Sequence, residues 1–474
     1  MVNRQRSIHV LHITPHMGGG VGRVIRNFCD ELLSCPICSV EIACLDYANE
    51  LSIAWSSGTK IPIHSDLAKN REKLCRLIKK ADVVHLHWWN HPLVYDLMSD
   101  KNLPSCRIVI WSHVNGHNPP NLFNEEVLNY PDFFVMGTPY SLSSPFVKAM
   151  QETWHSEKQR TVFASPGYKH VDSVQPAKHD GFNVGYIGTV DYGKMHPDYI
   201  SMSLNANIPD VKFIVCGGPS QESLRQEVYT LKAEGLFDIR GHVNDISSVL
   251  AVLDVFGYPL TAKHYGASEV ALIEAQVAGA VPVVLDNGCE RHIVEDNVTG
   301  IVASTTDEYS RALEYLYKHP EKRKKMSYNA RRHARERFSI HNTTEKWLEI
   351  YMEVVDKKKS KHLFNKSILG VIGRESKAQL FLTALGDTPE AELFASIFII
   401  EDKNQMKKKV EEIERLLPIF KGKSNGSVFQ YHQFFPNDPE ISYLCGLVSI
   451  SNGLADQAMN YFKNSNNKFT LVDV

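Results

Sequence analysis

Short apolar runs alternate with amphipathic stretches along the first third of the chain. Apolar residues recur at helical spacing in Gly22–Leu33 and Lys69–Lys80, which predicts a helix over each range. The runs between and after them are short and rich in Val and Ile, which is typical of buried strands. Strands are predicted at Ile8–Thr14, Val40–Leu45, Val83–His87, Arg107–Ser112, Phe133–Met136 and Thr161–Ala164. This alternation favours a mostly parallel sheet with helices on both faces.

The same alternation restarts after a polar stretch. Residues Ser165–Gly181 contain Pro166, Gly167 and Pro176 but few apolar residues, so they are predicted to link two domains. Strands of a second unit are predicted at Phe182–Ile187, Val211–Cys216, Phe237–Arg240, Val255–Tyr258 and Val281–Leu285. Two such units facing each other would hold a ligand in the cleft between the carboxyl ends of their strands. The predicted fold class is therefore α/β, with two Rossmann-like domains facing a cleft.

Helical patterns dominate the rest of the chain. The charged run Glu321–Phe338 and the amphipathic stretch Ile340–Val355 predict two helices. Residues 363–474 are predicted to form a small α-helical extension. Within 439–470, small and aromatic residues fall at the spacing of a tetratricopeptide repeat, at Gly446, Gly453, Ala458 and Phe462. One repeat cannot bury its own apolar face, so it would have to pack on further helices or on a protein partner, and a true repeat and a plain helical hairpin both remain open.

Composition narrows the class of protein. With 474 residues, of which 43% are hydrophobic, the chain is long enough for two domains and an extension. The 52 basic and 54 acidic residues nearly cancel, which gives no electrostatic case for nucleic acid as a main ligand. His12 and Pro15 interrupt the first apolar run, so the amino terminus is predicted to be a strand and not a signal peptide. No stretch approaches the roughly 18 apolar residues of a membrane span.

Two further features bear on location. The nine cysteines are an odd number scattered through predicted strands and helices, which indicates reduced thiols in a cytoplasmic protein. The lysine cluster Lys357–Lys361 is predicted to be a solvated linker, and a patch for an anionic membrane face is the alternative. We therefore expect a cytoplasmic protein, with peripheral contact at the inner face of the membrane as a hypothesis.

No metal site is predicted. Cys35 and Cys38 have the spacing of a zinc-binding pair, but no second pair follows at suitable spacing. His85 and His87 alternate with apolar residues on a predicted strand, and a metal would need a third ligand that the sequence does not identify. We interpret both histidines as strand-end or acceptor-side residues with satisfied hydrogen bonds.

The densest chemical signal lies in Tyr258–Val302. Ser268 follows a glycine turn, and its hydroxyl is expected to cap a helix that runs to about Ala278. Glu274 then lies mid-helix among apolar residues. A buried carboxylate must accept hydrogen bonds, and the vicinal hydroxyls of a ribose are suitable donors. The free amides at the helix start would face a pyrophosphate.

This segment resembles the donor-binding signature of retaining glycosyltransferases with two Rossmann-like domains, the GT-B fold, family 4 type. In that family two glutamates stand eight positions apart, the first near the donor sugar and the second on the ribose of the nucleotide. Glu274 matches the second. Gly266 stands where the first is expected, and Glu269 lies close enough along the chain to reach the same pocket.

The resemblance extends to other loops. It implies that Lys194 neutralises the donor diphosphate, with Thr189 where the family has an arginine, and that His113 touches the donor sugar. It also implies a base-binding turn at His242 and Val243, which does not separate uracil from guanine. The candidate catalytic residues are Lys194, Glu274 and His113. The candidate donor-binding residues are Gly18, Gly19, Gly20, Gly188, Thr189, His242, Val243, Gly266, Ala267, Ser268 and Glu269.

The predicted domains are 1–170 for the acceptor, 171–338 for the nucleotide sugar, a closing helix at 339–356 and the extension at 363–474. The predicted activity is retaining, metal-independent transfer of a sugar from a nucleoside diphosphate sugar to a hydroxyl of a glycan or glycolipid in bacterial-type surface polysaccharide assembly. No cofactor is expected besides the donor substrate. The alternatives are an inactive sugar-nucleotide-binding or scaffold protein, suggested by Gly266 and Thr189, and a sugar-nucleotide epimerase. Donor sugar, base, acceptor and oligomeric state stay open.

Overall fold

The computed structural model describes residues 7–150, 158–364, 376–422 and 424–465. The chain divides into two compact units. Unit 1 comprises Met1–Gly137, Ser141–Val162 and Trp347–Val474, and unit 2 comprises Thr138–Tyr140 and Phe163–Lys346. Residues 466–470 of the predicted repeat lie outside the described residues. The predicted domain boundaries stay a prediction.

Unit 1 contains a parallel sheet of seven strands in the order β3-β2-β1-β4-β5-β6-β7. The strands are β1 Ile8–Thr14, β2 Cys38–Cys44, β3 Ile63–His64, β4 Val83–Trp88, β5 Ile108–Ser112, β6 Phe133–Met136 and β7 Gln159–Thr161. The chain builds outward from β1 in one direction and then returns to its other side at β4. The loops after β1 and β4 therefore diverge at a topological switch point.

Unit 2 repeats this plan with six strands in the order β10-β9-β8-β11-β12-β13. The strands are β8 Phe182–Ile187, β9 Val211–Cys216, β10 Phe237–Gly241, β11 Val255–Tyr258, β12 Val281–Leu285 and β13 Ile301–Ala303. All neighbours are parallel, and β8 pairs with both β9 and β11. The second switch point therefore lies between β8 and β11.

Helices cover the sheets and form the carboxyl-terminal region. The helices that precede the extension are α1 Gly19–Leu33, α2 Glu50–Thr59, α3 Arg71–Lys80, α4 Pro92–Met98, α5 Glu125–Asn129, α6 Pro145–Met150, α7 Tyr199–Leu204, α8 Gln221–Thr230, α9 Ile246–Leu250, α10 Val270–Ala278, α11 Thr306–Lys318, α12 Pro320–Arg337 and α13 Ile340–Val355. The extension contains α14 Ala378–Leu385, α15 Pro389–Ser396, α16 Lys403–Glu414, α17 Pro418–Lys421, α18 Val428–Phe434, α19 Pro439–Ser451 and α20 Ala455–Phe462. Within the described ranges, every helix is too short or too polar to cross a membrane.

Most predicted elements are confirmed, and the errors lie at their ends. The helix predicted from Gly22 begins at Gly19, because Gly18 already has the extended backbone of a helix cap. The strand predicted at Thr161–Ala164 instead occupies Gln159–Thr161. Ala164 is buried without a ladder partner, and its N–H donates to the Ser268 hydroxyl at 2.9 Å. A buried apolar run therefore need not be paired as a strand.

The extension is part of unit 1. The Asn124 side chain donates to the Thr383 carbonyl at 2.6 Å, Lys377 pairs with Asp96 at 2.6 Å, and the Tyr431 hydroxyl donates to Asn90 at 3.1 Å. Helices α14 and α18 both contact α4. Much of the apolar surface of the extension is thus buried against its own helices and the first domain, while Ile399, Leu454 and Met459 stay exposed.

The hairpin of α19 and α20 is close-packed. A Cβ at Gly446 would overlap the ring of Phe462, so glycine is the residue that lets the two helices approach. This confirms a helical hairpin at the predicted place. Its assignment as a tetratricopeptide repeat stays a prediction.

The lysine cluster after α13 is largely exposed, as predicted for a solvated linker, but it also makes specific contacts that were not predicted. Lys359 donates to the carbonyl of Ala81 at 2.6 Å and to that of Lys79 at 3.1 Å. The ammonium of Lys357 lies 4.5 Å from the ring centre of Phe133. The last carbonyls of a helix need donors from outside it, and Lys359 supplies one for the end of α3. The cluster anchors the chain to unit 1.

Candidate functional site

The candidate site of unit 2 lies at its topological switch point. Gly188 and Lys194 follow β8, while the loop after β11 runs through Gly266 and Glu269 into α10. Because β8 and β11 are hydrogen-bonded neighbours, their carboxyl ends and the loops that follow them lie side by side. A switch point of this kind is where open parallel sheets bind their ligands.

A buried ion pair forms the centre of this site. The ammonium of Lys194 lies 3.0 Å from the carboxylate of Glu269, whose side chain is 1% exposed. The Tyr258 hydroxyl donates to the same carboxylate at 2.8 Å. Burial alone would raise the pKa of Glu269, but Lys194 and His264 hold that pKa below its usual value. Burial would likewise lower the pKa of Lys194, and Glu269 instead raises it, so both groups stay charged.

Glu269 adopts an uncommon backbone conformation. Its φ of 30° and ψ of 64° place it in the left-handed region, where a residue other than glycine is strained. It occupies the position before the first turn of α10. Ser268 does not cap this helix, so that prediction is wrong; its hydroxyl instead accepts the N–H of Ala164. The left-handed turn at Glu269 aims its carboxylate back towards Lys194.

Gly266 and Glu269 depend on each other. A Cβ at position 266 would overlap Oε1 of Glu269, so the carboxylate occupies the space that a side chain at 266 would need. The Gly266 N–H donates to Nδ1 of His264 at 3.1 Å, and its carbonyl accepts a hydrogen bond from the Cys289 thiol at 2.9 Å. Ala267 beside it is buried. The glycine at 266 is therefore the residue that the position of Glu269 requires.

A second buried carboxylate adjoins this centre. Nε2 of His264 lies 3.1 Å from Glu290, and Nδ1 of His264 lies 3.6 Å from Glu269. Both side chains of the His264–Glu290 pair are 2% exposed or less. Burial would lower the pKa of His264, but Glu290 raises it above its usual value. Sequence analysis missed this pair because His264 and Glu290 lie in different loops with no motif between them.

Glu274 is buried in the middle of α10, as predicted. Its side chain is 2% exposed, and Oε1 lies 3.0 Å from Nε2 of His170, which is about one-third exposed. His170 belongs to the segment predicted as a linker. The helix ends at Gly279, whose φ of 100° is left-handed, as expected of a glycine after a helix.

The other predicted residues of unit 2 are more scattered. A Cβ at Gly188 would lie 3.2 Å from the Tyr258 hydroxyl, which places Gly188 against the central cluster. The Thr189 carbonyl accepts the hydroxyl of Tyr186 at 2.7 Å. His242 is exposed and Val243 packs partly on the core, both after β10 at the edge of the sheet. Strand β9 separates β10 from β8, so this turn lies farther along the sheet edge.

The predicted glycines of unit 1 differ among themselves. Gly18 precedes α1, and Gly19 has a φ of 59°. A Cβ at Gly19 or Gly20 would meet nothing within 4 Å, whereas one at Gly22 would lie 2.8 Å from the Met17 backbone. Gly22 thus allows α1 to pack closely on the loop that follows β1, and the exposed Gly19 and Gly20 leave the start of α1 open.

His113 belongs to a chain of histidines in unit 1. Nε2 of His113 lies 2.9 Å from Nδ1 of His87, and Nε2 of His87 lies 3.0 Å from Nδ1 of His12. Nδ1 of His85 lies 2.6 Å from the Tyr351 hydroxyl. Burial lowers the pKa of His12 and that of His113 to about 3, so these rings are neutral. Both ring nitrogens of His87 have a partner, as predicted, whereas among the described residues Nε2 of His85 has none. His12 is the neighbour that sequence analysis missed.

Comparison with known proteins bears on unit 2 and on the fold as a whole. Residues 173–333 match the family described as Glycosyl transferases group 1. The comparison with curated protein sequences finds no match. The matched range contains Lys194, Glu269, Glu274 and Glu290, but not His170.

Solved structures share the architecture at low sequence identity. HepE from Anabaena, crystallised with UDP and glucose, is 15% identical with a TM-score of 0.60, over 73% of this chain and 100% of its own. A glycosyltransferase from Rickettsia africae is 15% identical with a TM-score of 0.58, over 74% and 100%. Sucrose-phosphate synthase from Thermosynechococcus elongatus is 13% identical with a TM-score of 0.57, over 74% and 99%. This chain therefore has the GT-B fold, with a helical carboxyl-terminal region, and carries a glycosyl transferases group 1 domain at residues 173–333.

Proposed function

We propose that this protein is a retaining glycosyltransferase of the family 4 type, which transfers a sugar from a nucleoside diphosphate sugar to a hydroxyl of a glycan or glycolipid. The observation that carries the proposal is the buried Lys194–Glu269 pair at the switch point of the group 1 domain. Burying two charged groups costs desolvation free energy, so such a pair calls for an explanation. Binding of a charged substrate, which would replace each charge's present partner, is one explanation.

The donor diphosphate is assigned to Lys194 and to the start of α10. The first amides of a helix have no partner within it and attract anions. The side chain of Lys194 is 14% exposed, whereas that of its partner Glu269 is 1% exposed, so Lys194 is the member of the pair that lies nearer the outside. The departing diphosphate gains negative charge during transfer, and an ammonium already in place lowers that barrier specifically. Thr189 stands where the resembled family has an arginine, so this position adds no second positive charge for the diphosphate.

The donor sugar is assigned to Glu269. Its carboxylate fills the space beside Gly266, where the family's first glutamate would begin, and this supports Glu269 as the replacement for that glutamate. A carboxylate held charged among Lys194, Tyr258 and His264 accepts hydrogen bonds from sugar hydroxyls without further reorganisation. Glu290 holds His264 in position from the other side.

The ribose is assigned to Glu274. Its carboxylate is buried yet faces His170, which is partly exposed, so one edge of the pair opens to the outside. Vicinal hydroxyls that donate to this carboxylate would satisfy it as His170 does now. For the base, the complex of HepE with UDP-glucose makes uridine nucleotides the first choice.

The proposed transfer is a front-face displacement. The bond from the anomeric carbon to the donor phosphate oxygen breaks, and the acceptor oxygen forms a bond to that carbon on the same face. The acceptor proton moves to the departing phosphate oxygen, so the step requires no separate base or metal. Acceptor binding is assigned to unit 1, at the open start of α1 with Gly19 and Gly20. Contact with the donor sugar from unit 1 is assigned to His113. We place the reaction in the cytoplasm, in surface polysaccharide assembly.

The first test combines binding and turnover. Thermal shift is measured with UDP, GDP, ADP and their common sugar conjugates, because a ligand that binds only the folded state raises the melting temperature. Release of the nucleoside diphosphate is then followed with candidate acceptor glycans. We expect a shift with one base and acceptor-dependent release. A shift with no release across the acceptor panel would favour an inactive binding protein, and no shift with any nucleotide would refute the proposal.

A further inference from the structure

Three buried histidines meet on neighbouring strands of unit 1. His12 on β1 lies opposite His85 on β4 in the parallel ladder. His87 follows two residues later and therefore points to the same face of the sheet as His85. One ring nitrogen from each of His12, His85 and His87 lies within 4.8 Å of the other two. All three side chains are fully buried.

The outer nitrogens of two of these rings are already held. Nδ1 of His85 lies 2.6 Å from the Tyr351 hydroxyl, and Nδ1 of His87 lies 2.9 Å from Nε2 of His113. Nε2 of both rings is therefore left for the interior of the cluster. Histidines that bind metals in proteins have this arrangement, because a partner on the outer nitrogen fixes the ring and its tautomer.

Hydrogen bonds within the cluster do not satisfy it. Among the residues that the structure describes, Nε2 of His85 is buried and has no hydrogen-bond partner. The rings of His85 and His87 stack at 4.4 Å, and stacking does not use these nitrogens. Buried polar atoms without a partner are rare in proteins, and each one calls for an explanation such as an ion.

We propose that His12, His85 and His87 form a binding site for one divalent transition metal ion, of which Zn²⁺ is the representative. Imidazole is a preferred ligand of zinc, and three such ligands leave one tetrahedral position for water. Ligands of a tetrahedral zinc lie about 3.4 Å apart, since each bond is about 2.0–2.1 Å long. The contact of 3.0 Å between Nδ1 of His12 and Nε2 of His87 is close to this spacing, and the ligand nitrogen of His85 lies within 4.8 Å of both.

The metal would have a structural role. It would join β1 to β4 near the carboxyl end of β1, which leads into the segment before Gly18. Through the hydrogen bond between His85 and Tyr351 it would also hold α13 against these strands. The sugar transfer proposed above does not involve it. This site replaces our expectation from sequence that no residue of the chain binds a metal.

The test is metal analysis of the full-length, untagged protein. Protein expressed with added zinc is dialysed, and its metal content is measured by inductively coupled plasma mass spectrometry. The variants are His85→Asn and His87→Asn, because asparagine keeps a polar atom near the position of Nδ1 and removes Nε2. The matched control is His91→Asn, at a buried histidine of the same unit whose Nδ1 accepts the Leu93 N–H.

We expect about one zinc ion per chain in the wild type and in the control, and less than about a tenth of that in each cluster variant. Equal zinc content in the wild type and both cluster variants would overturn the proposal. A second measurement does not depend on the folding of any variant. Wild-type protein stripped with a chelator receives Co²⁺, and we expect the intense visible bands of tetrahedral cobalt together with a rise in melting temperature. Folded wild-type protein that takes up neither Co²⁺ nor Zn²⁺ would refute the site.

Discussion

The two switch points share a topology and differ in their electrostatics. Between β8 and β11 of unit 2, Lys194 and Glu269 are charged and paired, with His264 and Glu290 beside them. Between β1 and β4 of unit 1, the groups are imidazoles that burial keeps neutral. The chain order around the central strand is the same in both sheets. Topology thus decides where a parallel sheet can bind a ligand, and the side chains decide which ligand it binds.

Solvent access explains much of this difference. In unit 2, Lys194 and His170 keep part of their surface outside while their carboxylate partners are buried. In unit 1, helix α13 covers the histidines, with the ring of Trp347 at 4.0 Å from that of His85. A charged pair with one exposed member suits exchange with a charged substrate, whereas a covered neutral cluster suits permanent structure.

The largest effect is expected when the packing of α13 over the histidines of unit 1 is disrupted. Trp347→Ala should destabilise unit 1 by about 3–5 kcal/mol, because Trp347 is fully buried against Phe28, His85 and Trp111. Hydrogen exchange followed by mass spectrometry should show lost protection in β1 and β4, with β8 and β11 unchanged. Met352→Ala on the same helix, at a side chain 43% exposed, is the control and should change protection little. Equal loss of protection in β8 and β11 would contradict the expectation that the effect stays within unit 1.

The next largest effect concerns the charged centre of unit 2. Lys194→Met with Glu269→Gln removes both charges together, which avoids leaving either one buried alone. We expect kcat to fall by about 10²–10³, because the ammonium acts on charge that develops during transfer. Lys263→Met, at an exposed lysine of the loop after β11, is the matched control. A double variant that keeps wild-type kcat would show that the pair only stabilises the fold.

A smaller effect is expected at Glu274. Glu274→Gln keeps the shape of the side chain and removes its charge, so nucleotide affinity should fall by about 1.5–3 kcal/mol, the usual range for a hydrogen bond to a charged group. Isothermal titration calorimetry with the nucleotide identified above measures this loss. Glu314→Gln, in a surface pair with Lys318, provides the control and should bind as the wild type does. Unchanged affinity in Glu274→Gln would remove the ribose from this position.

The smallest effect is the pH dependence of the Lys194–Glu269 pair. The pKa of Glu269 is lowered from its ordinary 4.5, so its contribution to stability is complete above about pH 4.5 and is lost as the pH falls through the lowered value. The pKa of Lys194 is raised from 10.5, so its contribution is lost only as the pH rises beyond that.

Unfolding midpoints of the wild type and of Lys194→Met/Glu269→Gln, measured from about pH 7 to about pH 3, test this. The wild type should lose stability relative to the double variant by about 1.4 kcal/mol for each unit by which the pKa of Glu269 is lowered. Parallel curves across this range would show that Glu269 carries no such shift.

Sequence patterns predicted the elements of both sheets well and the site only in part. Local hydrophobic periodicity placed β1, β6, β8, β9, β11 and β12 at their observed bounds. It also indicated that Glu274 is buried, since a helix that is apolar on nearly all sides is surrounded by the core. The prediction for Ser268 failed because a serine before a helix can accept either an amide of that helix or, as here, the distant amide of Ala164, and the sequence does not distinguish the two.

Contacts between distant segments are what the sequence left undecided. The pairing of His264 with Glu290, of Glu274 with His170 and of His85 with Tyr351 joins residues from 26 to 266 positions apart. The contacts of Lys359 with the carbonyls of Lys79 and Ala81 could not be predicted either, because nothing in the local sequence shows that the end of α3 lies nearby.

By itself, then, the sequence determined the alternation of strands and helices, and hence two parallel sheets with a helical extension, because hydrophobic period is a local property and alternating strands and helices favour parallel sheets. Only the tertiary structure decided which acids and histidines meet. Gly266 shows the reason: a glycine where the resembled family has an acid looked like a missing residue, yet in the folded chain it makes room for the carboxylate of Glu269. The left-handed backbone at Glu269 that directs this carboxylate is imposed by packing and leaves no periodic signal.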